Sequence, residues 1–445
     1  MWPAEWLVSG VDDVRRDTKD GLATGPFGSS VSAKFFQNDG VPLIRGSNLS
    51  EAVGERLVED DYVFVSEEKA AEFPRAVTRP GDLVFTCWGT IGQVGLIDGR
   101  ARFDRYLISN KQMKLSPDPT KADSLFLYYL FKSPDLQAAI SNVSIGSSVP
   151  GFNLGQLRGL RFPLPPLPEQ KAIAAVLGAL DDKIEQNRRT SRALDELAQA
   201  TFKAWFVDFA PIKAKAAGQT SFPGMPSTVF AALADRLTDS PIGPAPEGWS
   251  VRALSQVCQI ISGGTPKRSE AAYWGGDIPW YSIKDAPPNG EPWVYFTSEH
   301  ISQAGLAGSA ATLAPIGCTI ISARGTVGRL GLVARPMAFN QSCYGLLPSD
   351  EVSYRHLYLL LREVVDELKQ RSHGSVFDTI TRQTFDTVNV VFPPPEVLAE
   401  FENVTAPWFD LLLALSNESD KLSELRDYLL PRLVSGAIRV KGHHV

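Results

Sequence analysis

The stretch GDLVFTCWGTIGQVGLI, which runs from Gly81 to Ile97, decides the organisation of the chain because a second stretch repeats its pattern. GCTIISARGTVGRLGLV, from Gly317 to Val333, carries four glycines and a threonine in register with the first stretch. Each stretch reads as two apolar strands joined by a glycine turn, GTIG or GTVG. The simplest explanation of these glycines is a turn that needs positive φ, although two glycines flanking two residues can also bring backbone amides close to a phosphate.

The repeat extends in both directions from these turns. The parallel segments are VPLIRGSN (41–48) with IPWYSIKD (278–285), Trp6 with Trp249, Val14 with Val257, Asn110 with Asn340, Leu127-Tyr128 with Leu357-Tyr358, and Phe162-Pro163 with Phe392-Pro393. The order is kept with only small gaps, which indicates tandem duplication of a domain of about 150 residues. Each copy reads as short β segments with one short helix near its end, so we expect an α+β fold.

The composition is that of a globular protein with more than one core. The 445 residues suit two or three domains. No run of about 18 apolar residues is present, and the start MWPAEWLVSG lacks a signal-peptide pattern, so we expect a cytoplasmic protein with no membrane partner. The four cysteines are scattered without a CxxC pair, which predicts buried free thiols rather than a metal site. The net charge of −6 leaves room for a local basic patch.

Two segments have the spacing of long helices. Residues 171–209 contain no proline and carry a heptad-like stripe with a polar gap at Asn187 and Ser191. The stripe residues are Ile173, Leu177, Leu180, Ile184, Leu194, Ala198 and Trp205. A second helix, about 397–434, has an expected face of Trp408, Leu411, Leu415, Leu422, Leu425 and Leu429, with Asn417 near its middle. Pro407 should kink or divide this helix. Two such seams most economically pack on each other as an antiparallel coiled coil.

These features predict a pseudo-twofold architecture in which each α/β domain is followed by a long helix. We expect the first domain at 1–166, its helix at 167–212, the second domain at 247–395, and a helix and tail at 396–445. The intervening segment 213–246 is rich in Pro, Gly and Ser and is predicted to be an exposed linker.

A search for catalytic motifs finds no phosphate loop, no zinc-binding HExxH and no GxSxG nucleophile. One pattern resembles a nuclease site, with Asp135 followed by Glu169 and Lys171. Its setting argues against that function, because Glu169 opens a helix and a carboxylate in the first turn is favoured by the helix dipole. We therefore predict no catalytic residue and no metal ligand in this chain.

The candidate DNA-binding residues lie in loops that mix cations, amides, hydroxyls and aromatic rings. In the first copy they are Lys34, Arg45, Ser47, Asn48, Thr90, Lys111, Ser147, Ser148 and Asn153. In the second they are Thr265, Lys267, Arg268, Tyr273, Lys284, Arg324, Thr326, Gln341, His373 and Ser375. Arg and Lys can bind guanine edges or phosphates, and Asn and Gln can bind adenine. Each residue taken alone is more simply explained as a solvated loop residue, and the different side chains on a shared framework are the informative point.

Several longer segments resemble a known family. FPLPPLPEQKAIAAVLGALDD and the helix that continues from it (162–209) resemble the central conserved region of type I restriction-modification specificity subunits. NESDKLSELRDYLLPRLVSGAIRV (417–440) resembles the second conserved region of that family. TGPFGSS (24–30) and YWGGDIPWYSIKD (273–285) resemble its target-recognition domains. The resemblance covers essentially the whole chain, in the same order.

The resemblance implies that each copy reads one half of a split sequence in double-stranded DNA, and that the paired helices set the gap between the halves. It also implies two methyltransferase subunits that bring S-adenosylmethionine and methylate adenine, and motor-nuclease subunits that bring ATP and magnesium. The chain itself is expected to bind no cofactor. The loops differ between the copies, so an asymmetric target is expected.

Three other interpretations stay open at this point. The chain could serve a combined methyltransferase-nuclease system with the same domain plan. It could be a protein-binding scaffold whose two globular heads and rod hold other proteins together. It could also be a stand-alone nuclease, in which case replacing Asp135 or Glu169 would abolish cleavage.

Overall fold

The computed structural model describes residues 2–144, 151–288, 290–372 and 379–440, which form two compact units. The first unit comprises Met1–Ile184 and Lys421–Val445, and the second comprises Glu185–Asp420. Within the described residues, no helix is long and apolar enough to cross a membrane.

The first unit is built from short strands and helices around two sheets. Its strands are β1 (Leu7–Gly10), β2 (Leu22–Thr24), β3 (Val41–Ile44), β4 (Val63–Val65), β5 (Leu83–Thr86), β6 (Val94–Leu96), β7 (Leu107–Ile108), β8 (Gln112–Leu115) and β9 (Arg161–Leu164). Its helices are α1 (Val11–Val14), α2 (Glu67–Ala71), α3 (Ser124–Lys132), α4 (Pro134–Val143), α5 (Leu154–Gly159) and the beginning of α6 (Leu167–Phe202). The sheets run β2-β8-β5-β6 and β4-β3-β7, and β1 pairs with β9.

The second unit repeats this plan with longer strands. Its helices are α7 (Ala210–Ala216), α8 (Ser227–Ala232), α9 (Leu254–Val257), α10 (Gln303–Ala307), α11 (Tyr354–Ser372), α12 (Arg382–Thr387) and most of α13 (Pro395–Val434). Its strands are β10 (Leu237–Thr238), β11 (Ala245–Pro246), β12 (Ser250–Ala253), β13 (Cys258–Ser262), β14 (Trp274–Tyr281), β15 (Trp293–Val294), β16 (Glu299–Ile301), β17 (Leu313–Ala314), β18 (Thr319–Ser322), β19 (Leu330–Val333), β20 (Met337–Phe339), β21 (Cys343–Pro348) and β22 (Asn389–Phe392). The sheets run β13-β21-β18-β19-β15 and β16-β14-β20-β17, and β12 pairs with β22.

The duplication predicted from the glycine pattern is confirmed at the two glycine turns. The GTIG turn joins β5 to β6, and the GTVG turn joins β18 to β19. Their glycines all have positive φ, with 103° at Gly89, 100° at Gly92, 76° at Gly325 and 86° at Gly328. The turn explanation of these glycines is therefore correct, since an L side chain rarely adopts such angles.

Two of the predicted residue matches are wrong in register. The backbone N–H of Ser109 donates to the carbonyl of Ile44 at the end of β3, and that of Asn340 donates to the carbonyl of Tyr281 at the end of β14, both at 3.0 Å. Ser109 is therefore the counterpart of Asn340, one residue before the predicted match at Asn110. Similarly, Leu164 rather than Phe162 is the counterpart of Phe392. A slip of two residues keeps every side chain on the same face of a strand, so the apolar pattern alone could not detect it.

The late helix differs between the copies. In the first copy the predicted single helix is divided into α3 and α4 at Ser133, because Pro134 begins the second segment. In the second copy it is one helix of 19 residues. Leu127 and Leu357 nevertheless occupy the same place, since each donates its N–H to the carbonyl of the residue that caps its helix.

The two long helices pack antiparallel within each unit. α6 has 36 residues and ends in a π-helical turn at Lys203–Val207, and α13 has 40 residues and is not divided at Pro407. In the first unit Arg426 donates to Asp181 at 2.9 Å. In the second unit Asn187 donates to Glu418 at 2.8 Å. The predicted α+β fold with antiparallel helices is confirmed, and the buried Asn187 lies in the seam as expected.

The predicted inward face of α13 is wrong by one residue. Leu411 and Leu425 are 43% and 45% exposed. Trp408, Leu415, Asn417, Leu422 and Leu429 are partly buried, whereas the fully inward positions are Phe401, Thr405, Phe409, Leu412, Arg426 and Leu430. A search for apolar residues passes over Thr405 and Arg426, which are buried because each is hydrogen-bonded. On α6 the stripe is correct, with Ile173, Leu177, Ile184, Ala198 and Trp205 buried and Leu180 and Leu194 partly buried.

The segment 213–246 is mostly exposed, as its composition predicts, but it also has secondary structure of its own. It contains the end of α7, all of α8 and the pair β10-β11. Met225, Phe230 and Leu233 are buried in the main core of the second unit. These three apolar side chains dock the segment onto that unit, and a count of Pro, Gly and Ser does not register them.

Candidate nucleic-acid interface

In the first unit, the sheet topology gathers several loops at one edge, here called the first loop edge. β8 lies between β2 and β5 and runs antiparallel to both, so the ends of β2 and β5 flank the start of β8. Gly25 donates its N–H to the carbonyl of Gln112 at 3.0 Å, and Cys87 donates to that of Lys111 at 2.7 Å. The loop after β2, the GTIG turn and the turn 109–111 therefore lie side by side.

Most of the predicted residues of the first copy lie at this edge. Ser47, Thr90, Lys111 and Asn153 are exposed. Asn153 also caps α5, because its Oδ1 accepts the N–H of Gln156 at 3.0 Å. The edge thus presents hydroxyls, an amide and a lysine ammonium to solvent, which are groups that bind phosphates and base edges.

Arg45 and Asn48 belong to the same edge, but their side chains differ in exposure to solvent. Arg45 is half-buried, and one of its terminal nitrogens donates to the carbonyl of Asp61 at 2.8 Å. Asn48 is fully buried, and its Nδ2 donates to the carbonyls of Val58 and Asp60 at 3.2 and 3.0 Å. Its Oδ1 accepts the N–H of Arg45. The structure therefore corrects the DNA-contact prediction for Asn48: this amide supports the loop and presents no group to solvent.

Lys34 is exposed but is not joined to the others by any described contact. Its ammonium lies 4.7 Å from the centre of the Phe35 ring, and the same ring lies 4.0 Å from the ammonium of Lys69 on α2. α2 follows β4, which runs antiparallel to β3, so Lys69 lies toward the opposite end of β3 from Arg45.

The second unit has a corresponding second loop edge. β21 lies between β13 and β18, Gly264 donates its N–H to the carbonyl of Phe339 at 2.9 Å, and Ala323 donates to that of Ser342 at 2.8 Å. The hydroxyl of Thr265 donates to Oε1 of Gln341 across this edge. The other predicted residues exposed here are Lys284, Arg324 and Thr326.

Asp285 does for the second edge what Asn48 does for the first. Its two carboxylate oxygens accept the N–H groups of Ser282 and Ser298 at 2.8 and 2.7 Å. Asn48 and Asp285 thus hold equivalent loops at the ends of β3 and β14, which places Ser47 and Lys284 at equivalent exposed positions.

Lys267, Arg268 and Tyr273 lie in the loop between β13 and β14. Arg268 forms an ion pair with Glu299, and its guanidinium lies 3.8 Å from the centre of the Trp274 ring. The hydrogen bond that Arg268 donates to Glu299 raises the pKa of Arg268 above its ordinary value. Its charge is therefore already paired, whereas Lys267 is exposed. Tyr273 is partly buried and packs over Gly308.

The prediction from sequence missed Phe27 at the first loop edge. Phe27 is 80% exposed and Trp88 is 52% exposed, and they lie on either side of the turn 109–111. The available signal was TGPFG itself, because Pro and Gly on either side of Phe27 indicate a turn, and turns usually lie at the surface.

Ser147, Ser148, His373 and Ser375 lie outside the described residues, so their predictions stay untested. In the ranges that the structure describes, no group of three or more His, Cys, Asp or Glu side chains could hold a metal ion. Glu169 of the nuclease-like pattern is buried, and it accepts hydrogen bonds from Trp6 Nε1 at 3.0 Å and from Arg439. The four cysteines are free and buried, as predicted.

Comparison with known proteins adds independent information. The family described as type I restriction modification DNA specificity domain matches residues 30–195 and 246–400. The HindI specificity subunit of Haemophilus influenzae is 28% identical over 377 residues, which cover 75% of this chain and 82% of that protein. The MjaIX specificity subunit of Methanocaldococcus jannaschii is 23% identical over 452 residues, which cover 99% and 95%. The crystal structure of a type I restriction-modification S subunit from M. genitalium, 15% identical, has the same fold, with a TM-score of 0.57 over 96% of both chains.

Proposed function

The chain belongs to the type I restriction-modification DNA specificity family, and from that premise we propose that it selects the DNA sequence on which a methylating and restricting complex acts. Its target is bipartite and asymmetric, and each unit reads one half. The observation that carries this proposal is the pair of loop edges. They share strand order and supporting hydrogen bonds, yet they present different side chains to solvent.

The long helices serve as the spacer in this proposal. α6 and α13 have 36 and 40 residues, so each is about 54 to 60 Å long at 1.5 Å per residue. Half-sites read from one face of B-DNA lie about 34 Å apart, or a multiple of it. Helices of this length are long enough to set such a gap.

Catalysis and cofactors belong to partner subunits. Two methyltransferase subunits bring S-adenosylmethionine and methylate adenine in each half-site, and motor-nuclease subunits bring ATP and magnesium. The complex works on double-stranded DNA in the cytoplasm. Several apolar side chains are exposed on the long helices and are available for contact with such partners. These side chains are Val176, Leu197, Leu411, Leu425 and Tyr428.

The experiment that tests this proposal is sequencing of N6-methyladenine in host DNA, with and without the gene for this chain. Deletion should remove one split, asymmetric methylated motif while the methyltransferase is still expressed. An unchanged methylome would instead support a protein-binding scaffold.

A domain exchange then tests the modular reading. Residues 29–150 are replaced by the same segment of a relative, and the methylated motif is determined again. One half of the motif should change and the other half should stay. A change in both halves, or in neither, contradicts the assignment of one half-site to each unit.

A further inference from the structure

Three loop positions are equivalent at the two loop edges, and all of their residues except the partly buried Thr265 are exposed. In the first unit they are Phe27 after β2, Asn110 before β8 and Trp88 after β5. In the second unit Thr265, Gln341 and Arg324 occupy the same places after β13, before β21 and after β18. The match follows from equivalent backbone hydrogen bonds, such as those from Cys87 to Lys111 and from Ala323 to Ser342.

The first unit constrains the backbone that carries its two exposed aromatic rings. Gly25 leaves no room for a side chain, because a Cβ there would lie 1.9 Å from the carbonyl oxygen of Ser109. Gly28 has a φ of 60°, and its carbonyl accepts from Nδ2 of Asn110 at 3.4 Å. The loop that carries Phe27 is therefore tied to the neighbouring turn while the phenyl ring stays in water.

Trp88 is oriented in a comparable way. A Cβ on Gly151 would lie 2.7 Å from the indole, so the ring lies directly across this glycine. The backbones of Trp88 and Gly151 also pair. Exposed aromatic rings on a constrained backbone present apolar surface to a partner, and binding of that partner removes this surface from water.

The second unit presents hydrogen-bonding groups at the same positions. Arg324 is exposed, and no carboxylate within the described ranges forms an ion pair with it. The Oε1 of Gln341 accepts from Thr265, which orients the amide. A free guanidinium beside an oriented amide suits the acceptor edge of a purine.

We propose that the two units read their half-sites by different chemistry: Phe27 and Trp88 contact thymine methyl groups, and Arg324 contacts the O6 and N7 of a guanine, with Gln341 beside it. This inference rests on the proposed function and deepens it. In the major groove the C5-methyl marks thymine and the O6/N7 pair marks guanine, so an apolar edge and a guanidinium edge select different base pairs.

The test uses the full chain in complex with its methyltransferase subunits and duplexes that carry the methylated motif. Uracil replaces thymine in one half, which removes only the methyl group. In separate duplexes, 7-deazaguanine replaces guanine in the other half, which removes N7. Each substitution should weaken binding of the unaltered protein on the order of 10-fold, as loss of one specific base contact does.

The variants then assign each effect to a side chain. The double variant Phe27→Ala/Trp88→Ala should bind thymine and uracil duplexes equally while keeping its sensitivity to 7-deazaguanine. Arg324→Ala should show the reverse pattern. Ile316→Ala is the matched control, because Ile316 is 57% exposed and precedes β18, at the end opposite Arg324. It should keep both sensitivities.

The possible results separate the two proposals. If neither uracil nor 7-deazaguanine weakens binding of the unaltered complex, the proposed contacts with thymine methyl groups and with guanine are wrong. An aromatic double variant that binds less tightly but keeps its sensitivity to uracil also overturns it, since the rings then act without reading the methyl group. A complex with no preference for any sequence contradicts the proposed function itself.

Discussion

The two units join α6 and α13 to similar globular domains through different sets of contacts. In the first unit, Asp181 of α6 forms a buried ion pair with Arg426 of α13 at 2.9 Å and accepts a hydrogen bond from Tyr129 of α3. In the second unit, the corresponding region is an aromatic cluster made of Phe202, Phe206, Phe401 and His356. The second unit also has a buried ion pair at α6, between Asp195 and Arg362 of α11 at 2.6 Å. The two ends therefore differ chiefly in the aromatic contacts that join α6 to α13 in the second unit.

Because of this difference, we expect the two units to contribute differently to the register of the α6–α13 pair and to its stability. Buried charges tolerate few alternative arrangements, because any shift leaves a group unpaired in a medium of low dielectric constant. Aromatic contacts bury more apolar area but are less directional. We expect the first unit to fix the register of the helix pair and the second unit to supply more of the free energy that holds the helices together.

The largest expected effect comes from breaking the ion pair. Asp181→Ala leaves the buried Arg426 with only the exposed Asp427 as a charged partner, and should lower the free energy of unfolding of the first unit by about 3 kcal/mol. Denaturant unfolding of the full chain, together with amide exchange in residues 421–434, measures this loss. Asp182→Ala is the matched control, since Asp182 is 66% exposed and pairs with Arg100, and it should cost at most about 1 kcal/mol.

The double variant Asp181→Leu/Arg426→Leu completes this experiment. It should recover most of the lost stability, because replacing both partners of a buried ion pair with apolar residues is often neutral. A loss in Asp181→Ala no larger than in Asp182→Ala would mean that the ion pair does not hold the helices.

The next effect depends on pH and belongs to the second unit alone. His356 is fully buried in the aromatic cluster, and burial lowers its pKa to about 3. In the unfolded chain His356 has its ordinary pKa of about 6.5 and binds a proton below that pH, whereas in the folded state it stays neutral. The free energy of unfolding therefore decreases as the pH falls below about 6.5. At pH 5 this amounts to about 2 kcal/mol.

Unfolding measured at pH 7 and pH 5 tests this prediction in the native chain and in His356→Phe. The native second unit should lose about 2 kcal/mol more than the variant over this interval. An equal loss in both proteins would show that His356 does not control the acid sensitivity of the cluster.

The smallest effect compares the two glycine turns. Gly89 and Gly325 both face open space, but their φ angles are 103° and 76°. The second angle lies closer to the left-handed helical region that L residues can occupy, so Gly325→Ala should cost about 1 kcal/mol and Gly89→Ala more. Thermal unfolding of the two variants measures the difference. Equal costs would mean that the backbone of the first turn relaxes.

The sequence was sufficient to predict the duplication and the long helices, but not their details. Glycines at positive φ and a heptad stripe are local signals, and both Gly89 and Leu177 lie as predicted. The inward face of α13 depends on Arg426, whose burial follows from a partner 245 residues away in the chain. A pattern of residue types within one helix contains no information on that partner.

The candidate interface was predictable to a similar depth. Loop composition correctly indicated the exposed Lys111 and Arg324, because polar residues between strands usually face water. It could not separate Ser47 from its neighbour Asn48, since only the fold brings the carbonyls of Val58 and Asp60 to the Asn48 amide. It also passed over Phe27, an apolar residue that the fold leaves in solvent.

The two ends of the chain meet within the first unit. Arg439 forms ion pairs with Glu5 and Glu169, and Trp6 Nε1 donates to Glu169. On the ribosome this reverses the order of synthesis, because the second unit, Glu185–Asp420, is fully translated before the last segment of the first unit exists. The apolar residues of the first unit that pack on Leu430, Leu433 and Val434 stay uncovered until Lys421–Val445 has been synthesised. A message truncated before this segment thus yields a chain with only one finished unit, and chaperones and proteases can distinguish it from the complete protein.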